Sequence, residues 1–384
     1  MTAIAVISDT MVLPFYPRLL AVRFGISSSV VAGLYLASLS LVVMAALPLW
    51  ARLARRIDTL RMLIWTQLAA TVLSVGCYYA DSVTGFWLFA VTMVAFKASY
   101  LLMYPFVMRM DDKTHHAITI GALTVIVHFG SVSGAMLGAS LIKRFDYAVP
   151  FLVMAVGDVI QILMCLLLLR RRRNDASFHE VVTEPVRRSE TGTRQFAYLL
   201  VAMLAFYFSV YLPTPFMVAW WQSIVPGSSQ LVAGLIYVIP GFVALLMLLY
   251  GHVQKSAGTA WNNNQTGLLL ICFGLALQAV PNALTLVFGR IVFGIGLYQV
   301  TIGLDALFFA TTNPADYDRR FGTVNIARSC GIILAAVASG VITERFGPGI
   351  SIALACRCVA LTLVLYRLVL KLTIPATSAQ LQPA

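Results

Sequence analysis

The sequence predicts an all-α membrane protein with twelve transmembrane helices, and three observations support this fold class. Of the 384 residues, 60% are hydrophobic and only 11% are charged, whereas soluble domains are about half apolar and about a quarter charged. The mean hydropathy is +0.87. Apolar runs of about 20 residues, the length that a helix needs to cross a bilayer, recur from one end of the chain to the other.

Twelve such runs, bounded by charged residues or by Gly and Pro, are the candidate helices, numbered here in chain order. They cover residues 2–22, 30–50, 62–80, 85–107, 117–142, 149–169, 196–221, 231–250, 265–281, 284–310, 321–343 and 350–370. The longest polar interruption begins with four consecutive arginines and has the composition of a solvated linker. The sequence therefore predicts an N-terminal six-helix bundle at 1–169, a cytoplasmic linker at 170–195 and a C-terminal six-helix bundle at 196–384.

The basic residues predict how the helices are oriented. The formal net charge is +12, from 27 Lys and Arg against 15 Asp and Glu. With the N-terminus inside, 18 of the 27 fall in cytoplasmic segments and five on the opposite side, as expected because short basic loops stay in the cytoplasm. We therefore predict a multi-pass protein of the cell inner membrane with both termini cytoplasmic. Since topology explains the positive charge, no nucleic-acid partner is expected.

Other sequence features argue against enzyme and cofactor chemistry. The six cysteines lie inside apolar runs without metal-ligand spacing, and no G-x-x-x-x-G-K-[ST] loop is present. No nucleophile–base pair is evident either. We therefore expect no metal, no cofactor and no ATP hydrolysis. Because no basic leader precedes the first run, we also expect that run to be a retained helix and not a cleaved signal peptide.

An internal repeat at a single offset of 201 residues relates the two halves. The dipeptide Pro-Phe at 14–15 recurs at 215–216, and Val-Ala-Gly-Leu at 31–34 recurs at 232–235. Chance matches would scatter over many offsets, so one register indicates the same six-helix unit twice in the same orientation. Parallel six-helix repeats about an axis normal to the membrane resemble the plan of major facilitator superfamily transporters. The resemblance implies two pseudo-symmetric six-helix bundles.

Two loops are similar to the major facilitator signature G-x-L-a-D-r-x-G-r-k. After helix 2, Arg55 stands at the position of the family's acid and Asp58 at its second glycine. After helix 8, Gly251 and Gly258 keep both glycines, while Lys255 stands at the acid. The glycines allow a tight turn, and in the family the acid helps to hold the two halves together. Because both acids are replaced, we favour ordinary positive-inside anchoring for the basic residues.

Two helices carry further motifs that resemble the family. Gly130, Gly134 and Gly138 in helix 5 are similar to the g-x-x-x-G-P-x-x-G-G pattern of its exporters and antiporters. They lie on one helical face, and generic small-residue packing explains them equally well. In helix 10, Arg290 and Gly294 resemble the l-x-x-x-R-x-x-q-G-x-g motif usually found in helix 4 of proton-coupled members. The resemblances imply proton coupling and export.

Among the charged residues inside predicted helices, Asp9, Lys97, Arg290 and Asp305 lie in helices 1, 4 and 10. A charge at the bilayer centre costs about 2.5–3.5 kcal/mol on insertion scales, so each is a functional candidate. The resemblance implies that helices 1, 4, 7 and 10 line a central cavity, which would bring all four residues to one aqueous space. Helix 6 is peripheral in the family fold, so we expect Asp158 to be paired for structural reasons.

We predict that Asp9 is the proton-coupling acid, because a carboxylate opposite Lys97 could exchange a proton as the cavity alternates between sides. A static ion pair that only fixes helix packing is the open alternative. Three embedded cations outnumber two embedded acids, which favours an anionic or zwitterionic substrate, since arginine forks suit carboxylates and phosphates. The predicted substrate-binding residues are Lys97, Arg290, Arg328, Asp305, Tyr298 and Phe15.

Together, the residues and the resemblance predict a secondary active transporter that couples proton entry to export of a small anionic or zwitterionic metabolite, such as a carboxylate siderophore. Its expected partners are that small molecule, protons and the lipid bilayer, and we expect a monomer. One alternative is a broad exporter of lipophilic cations, in which Asp9 attracts the substrate. Another is a receptor or scaffold that keeps this fold without transporting.

Overall fold

The computed structural model is all-helical and describes residues 1–54, 56–103, 116–174, 193–253, 264–311 and 317–373. The helices of the N-terminal half are α1 (Thr2–Phe24), α2 (Ser29–Leu53), α3 (Thr59–Tyr79), α4 (Val83–Leu102), α5 (His116–Arg144) and α6 (Val149–Asn174). Those of the C-terminal half are α7 (segments Thr193–Tyr211 and Met217–Ile224), α8 (Gln230–Val253), α9 (Asn264–Ala279), α10 (Ala283–Thr311), α11 (Tyr317–Phe346) and α12 (Pro348–Thr373).

The predicted fold class is confirmed. Within the described ranges, eleven helices are long and apolar enough to cross a membrane, and α9 is a shorter apolar helix. The helices on either side of the predicted linker extend into it, since α6 continues to Asn174 and α7 begins at Thr193. Residues 175–192, the middle of that linker, lie outside the described residues.

Proline breaks α1 and α7 at equivalent places. Leu13–Phe15 forms a short 3-10 helix with a proline in its first turn, and Thr214–Phe216 does the same. Proline has no backbone N–H to donate and its ring crowds the preceding turn, so it kinks or breaks an α-helix, and at these two places the α-helical pattern is interrupted. The two 3-10 helices are 201 residues apart, so the sequence repeat extends to local backbone structure.

Each half packs around its own apolar core. In the N-terminal half, Phe86 lies with its ring centroid 5.8 Å from that of Tyr35 and 5.5 Å from that of Phe151, and all three side chains are fully buried. In the C-terminal half, Met203 and Phe206 of α7 pack with apolar residues of α9, α10 and α12. Each six-helix unit thus has a main core of its own, and Phe216 and Ala336 of the C-terminal half also pack in the core of the N-terminal half.

The halves meet at the end of the molecule that holds turns 25–28, 145–148 and 225–229, which we name the outer end because the charge count predicts that it faces away from the cytoplasm. There α2 packs against α11 and α5 packs against α8. A shared apolar cluster joins residues of both halves, namely Phe15, Ala139, Ile142, Val218, Trp221, Ala233, Ile236 and Leu286. The outer ends of the two bundles are therefore in contact in this structure.

Candidate functional site

A cluster of three charges lies inside the N-terminal bundle. The Lys97 Nζ atom is 3.4 Å from Oδ1 of Asp9 and 3.0 Å from Oδ1 of Asp158. The three side chains come from α4, α1 and α6, so the lysine ties three helices together. The Asp158 side chain is 0% exposed and that of Lys97 is 4% exposed, whereas the Asp9 side chain is 32% exposed.

Polar groups around Asp158 complete this buried environment. The Ser74 hydroxyl donates to Asp158 Oδ2 over 3.5 Å, and the Gln161 amide donates to Oδ1 over 3.5 Å. Gly157 lets α6 approach α1, because a Cβ atom there would lie 2.6 Å from the Ser8 hydroxyl. The neighbouring residue Asp158 is thereby brought within reach of Lys97.

Sequence reasoning assigned Asp158 to a peripheral pair and did not connect it with Asp9 and Lys97. The structure brings all three together, and the signal available in the sequence was the charge itself, in the middle of an apolar run. A lysine between two carboxylates has a chemical consequence. One carboxylate can accept a proton while the other still neutralises the ammonium, and Asp9 is the one whose side chain is partly exposed.

A second charged pair lies in the C-terminal half. The Arg328 guanidinium of α11 contacts Oδ1 of Asp305 on α10, and its central carbon lies 5.4 Å from the ring centroid of Tyr207 on α7. The Arg328 side chain is 16% exposed and that of Asp305 is 38% exposed. Among the described residues, buried Nε of Arg328 has no hydrogen-bond partner. This guanidinium therefore keeps a donor for a further acceptor.

Arg290 has a different environment from the one that its predicted role requires. It is 5% exposed, and its Nε donates to the Ile236 carbonyl of α8 over 3.2 Å, while its Nη2 contacts the Tyr237 carbonyl. Pro240 lies inside α8 and has no N–H for the carbonyl four residues earlier, which is that of Ile236. Arg290 supplies the missing donor, so its assignment to substrate binding is corrected to a structural role.

The buried Asp158 changes the charge count. Once it is included, three embedded acids, Asp9, Asp158 and Asp305, stand against three embedded cations, Lys97, Arg290 and Arg328. These groups therefore show no excess of cations. The substrate class has to be argued from which charges are accessible and which are already neutralised.

The remaining predicted contact residues differ in exposure. Tyr298 on α10 is half-buried. Phe15 is 0% exposed and belongs to the apolar cluster that joins the bundles, where its ring packs near Gly234. Phe15 therefore lies in the closed outer contact in this structure, and its predicted role in lining the cavity is corrected to packing between the bundles.

The helix 5 glycines form the surface on which α1 packs. A Cβ atom at Gly134 would lie 2.4 Å from the Ile7 carbonyl oxygen, and one at Gly138 would lie 1.9 Å from the Met11 carbonyl oxygen. At Gly130 the nearest atoms belong to Val6. These glycines let the helix that carries Asp9 approach α5 closely.

The other motif residues lie at helix ends and crossings. Asp58 caps α3, since its Oδ1 accepts from the Leu60 N–H over 2.8 Å. Gly294 packs against the proline of α8, where an added Cβ would lie 2.8 Å from the Pro240 Cα. Gly251 lies in the last turn of α8. The predictions for Arg55, Lys255 and Gly258 concern positions outside the described residues.

A family model described as Major Facilitator Superfamily matches residues 1–264, more than half of the chain. The chain belongs to the major facilitator superfamily. A sequence search of curated proteins gave no match. The membership and the helical architecture identify a multi-pass membrane protein with a secondary-transporter fold, which implies a transporter and not an enzyme.

Solved structures of major facilitator proteins share the fold over nearly the whole chain. A peptide transporter of the POT family has a TM-score of 0.76 at 11% identity, covering 100% of this chain and 97% of its own. A bacterial homologue of the human lysosomal transporter Spinster, in an inward-facing occupied conformation, has a TM-score of 0.76 at 15% identity with the same coverage. The human organic anion transporter MFSD10 (TETRAN) has a TM-score of 0.69 at 14% identity, covering 95% and 96%. At these identities the likeness shows the fold alone.

Within this major facilitator chain, the described residues include no group of three or more His, Cys, Asp or Glu side chains that could hold a metal ion. The Asp9, Lys97 and Asp158 cluster offers acid–base and electrostatic chemistry through its own side chains. It consists of one accessible carboxylate, one buried carboxylate and a lysine that both of them contact.

Proposed function

We propose that this transporter couples proton entry to the export of a small zwitterionic or anionic metabolite, with Asp9 as the proton-carrying acid. The single observation that carries the proposal is the shared lysine: Lys97 lies 3.4 Å from Asp9 and 3.0 Å from Asp158. A transmembrane carboxylate is expensive to keep unless it is paired or functional. This one is both paired and accessible.

The coupling step follows from the different environments of the two carboxylates. When Asp9 is ionised, the cluster holds two negative charges and one positive charge. Protonation of Asp9 leaves a neutral Lys97–Asp158 pair, so the bundle then carries no net charge at this site. The buried partner Asp158 keeps the ammonium neutralised in both states, and proton exchange at Asp9 needs no rearrangement of the buried pair.

The substrate class follows from what each half leaves accessible. A cationic group of the substrate would compete with a proton for Asp9, so the two would occupy the site in alternation, which is the requirement for antiport. An anionic group, such as a carboxylate, would bind the partly exposed guanidinium of Arg328, whose side chain is 16% exposed, because guanidinium groups bind carboxylates in this way. A molecule that carries both groups suits both sites, and a carboxylate siderophore is one example.

The export direction is supported by the helix 5 glycines, which are similar to the pattern of exporters and antiporters in this family. We further propose that the protein works as a monomer in the inner membrane with both termini in the cytoplasm, as the distribution of basic residues favours. In that arrangement protons would enter through the outer end and the metabolite would leave by it.

A second candidate function is the export of lipophilic cations. It is favoured by exposure, because the most accessible of the charges discussed here are the carboxylates of Asp9 and Asp305, with side chains 32% and 38% exposed. In that case Asp9 would attract the cation directly, and Arg328 would serve only to neutralise Asp305.

One assay tests coupling and substrate class together. The protein is reconstituted in liposomes that contain a pH-sensitive dye, and proton flux is followed after addition of citrate, of a citrate conjugate of a diamino acid that keeps a free ammonium, or of tetraphenylphosphonium. We expect proton flux with the conjugate, which carries both a carboxylate and an ammonium, and loss of that flux in Asp9→Asn, with solute counterflow retained. Flux only with tetraphenylphosphonium favours the second candidate, and unchanged proton flux in Asp9→Asn refutes Asp9 as the coupling acid.

A further inference from the structure

Two helix crossings join the bundles at the outer end, and the 201-residue repeat relates them. On one side, a Cβ atom at Gly33 of α2 would lie 2.5 Å from the Ala336 carbonyl oxygen of α11. On the other, a Cβ atom at Gly234 of α8 would lie 3.7 Å from the Ala135 carbonyl oxygen of α5. Each residue of the first crossing is 201 positions from its counterpart in the second. The α2–α11 crossing is the tighter of the two.

On the α2–α11 side, an acid of one bundle contacts the first turn of a helix of the other bundle. The Glu344 carboxylate of α11 accepts from the Ser28 hydroxyl over 3.0 Å and from the Val30 N–H over 3.1 Å. Ser28 is the residue that caps the start of α2. At the same offset, α5 carries Lys143 and α8 begins after Ser229. The repeat therefore keeps the serine cap on both sides but places an acid on one and a base on the other.

The difference in charge has a direct physical effect. The first turn of a helix presents unpaired N–H groups and a partial positive charge, so a carboxylate there is favourable and an ammonium is not. Glu344 belongs to the C-terminal bundle and α2 to the N-terminal bundle. Their contact can exist only while the outer ends of the bundles are together.

We propose that Glu344 is a one-sided latch that holds the outer end of this transporter closed. It caps α2 across the bundle boundary on the tight side, while the counterpart position on the other side holds a base, Lys143. In the two loop motifs of the sequence, Arg55 and Lys255 stand where the family has its latching acids. The arrangement biases the protein toward the outer-closed state, and this bias does not depend on which substrate or ion is carried.

The test is a distance measurement between the bundles. Spin labels are attached through Asp81→Cys and Pro226→Cys, two exposed outer-end positions in different halves, in a chain from which the six native cysteines have been removed. We expect Glu344→Ala to raise the ratio of open to closed outer ends about threefold, as for the loss of one exposed charge–helix contact. Glu344→Gln should give a smaller shift, because the amide oxygen still accepts but carries no charge.

Two further variants make the result specific. Arg345→Ala changes the neighbouring exposed charge and should leave the distance distribution unchanged. Lys143→Glu places an acid at the counterpart position and should lower the open fraction about threefold. The proposal fails if Glu344→Ala matches the parent protein, or if Arg345→Ala shifts the distribution as much as Glu344→Ala does. Since no substrate is added, failure of the latch is independent of failure of proton coupling.

Discussion

The two halves of the molecule share a scaffold but differ in where they carry charge. The N-terminal half contains Asp9, Lys97 and Asp158, and the positions 201 residues later are occupied by Val210, Tyr298 and Val359. Both valines are buried in the apolar core of the C-terminal half. The same six-helix unit is therefore built without these charges, which teaches that the charge cluster is not a requirement of the fold.

The second charged pair is present in the C-terminal half and absent from the N-terminal half. Asp305 and Arg328 are in contact in the C-terminal half, whereas the positions 201 residues earlier hold Tyr104 and Val127. Each bundle thus has charges that the other lacks. In our account the N-terminal bundle handles the proton and the C-terminal bundle provides the cation for the substrate's anionic group.

Among the variants that test this difference between the halves, we expect Lys97→Met to cause the largest loss of stability. The variant leaves the fully buried Asp158 without its counter-charge, which we expect to lower the free energy of unfolding by about 3–5 kcal/mol. Tyr298→Met, the change at the counterpart position, should cost much less because that residue takes part in no buried ion pair in the described structure. Thermal unfolding of both purified variants in detergent measures the difference.

A rescue variant separates the loss of charge balance from the loss of packing. Asp158→Asn in the Lys97→Met background removes the uncompensated carboxylate, so most of the lost stability should return. If the double variant is as unstable as Lys97→Met alone, the lysine stabilises the bundle through its alkyl chain and our account of the cluster is wrong.

A smaller difference is expected from the small-residue surfaces of α5 and α11. Gly138→Ala places a methyl group where the Met11 carbonyl oxygen already lies 1.9 Å away, so we expect a loss of about 1–3 kcal/mol from overpacking. Its counterpart Ser339→Ala removes a buried hydroxyl that has no partner among the described residues. That change should be nearly neutral. Equal effects on the unfolding temperature would contradict the packing assignment.

The smallest of the three expected stability effects tests whether Arg290 has a structural role. Arg290→Met leaves the Ile236 carbonyl without a donor, whereas Pro240→Ala provides a backbone N–H for the same carbonyl. We expect the double variant to lose less stability than the sum of the single variants, with a coupling energy of about 1 kcal/mol. Strict additivity in the unfolding temperatures would show that the arginine and the proline act independently.

Much of the fold could be predicted from the sequence, because the signals are local. Long apolar runs predicted the helices, and matches at an offset of 201 residues predicted the repeat. The structure shows that the repeat includes the 3-10 helices that contain Pro14 and Pro215. The approach of Asp9 to Lys97, within 3.4 Å, also followed from the family plan. The inferences about the helices and the repeat depend on composition and periodicity, which do not require knowledge of side-chain direction, whereas the approach of Asp9 to Lys97 was implied by the resemblance to the family.

The features that could not be predicted depend on which side-chain and backbone atoms face each other between helices. Arg290 was assigned to the substrate although its partner is a carbonyl released by a proline 50 residues earlier. Asp158 was set apart because helix position in the family fold does not show how closely Gly157 lets α6 approach α1. The sequence did not indicate a role for Glu344, because acids are common near helix ends and the sequence does not show that the start of α2 lies beside this one.

The most direct test of the central claim is proton release on substrate binding. Purified protein in weakly buffered detergent solution with a pH-sensitive dye is mixed with whichever compound drives proton flux in the liposome assay. We predict that the parent protein releases close to one proton per bound molecule and that Asp9→Asn binds the compound without releasing any. Equal proton release from the parent protein and from Asp9→Asn would contradict the account.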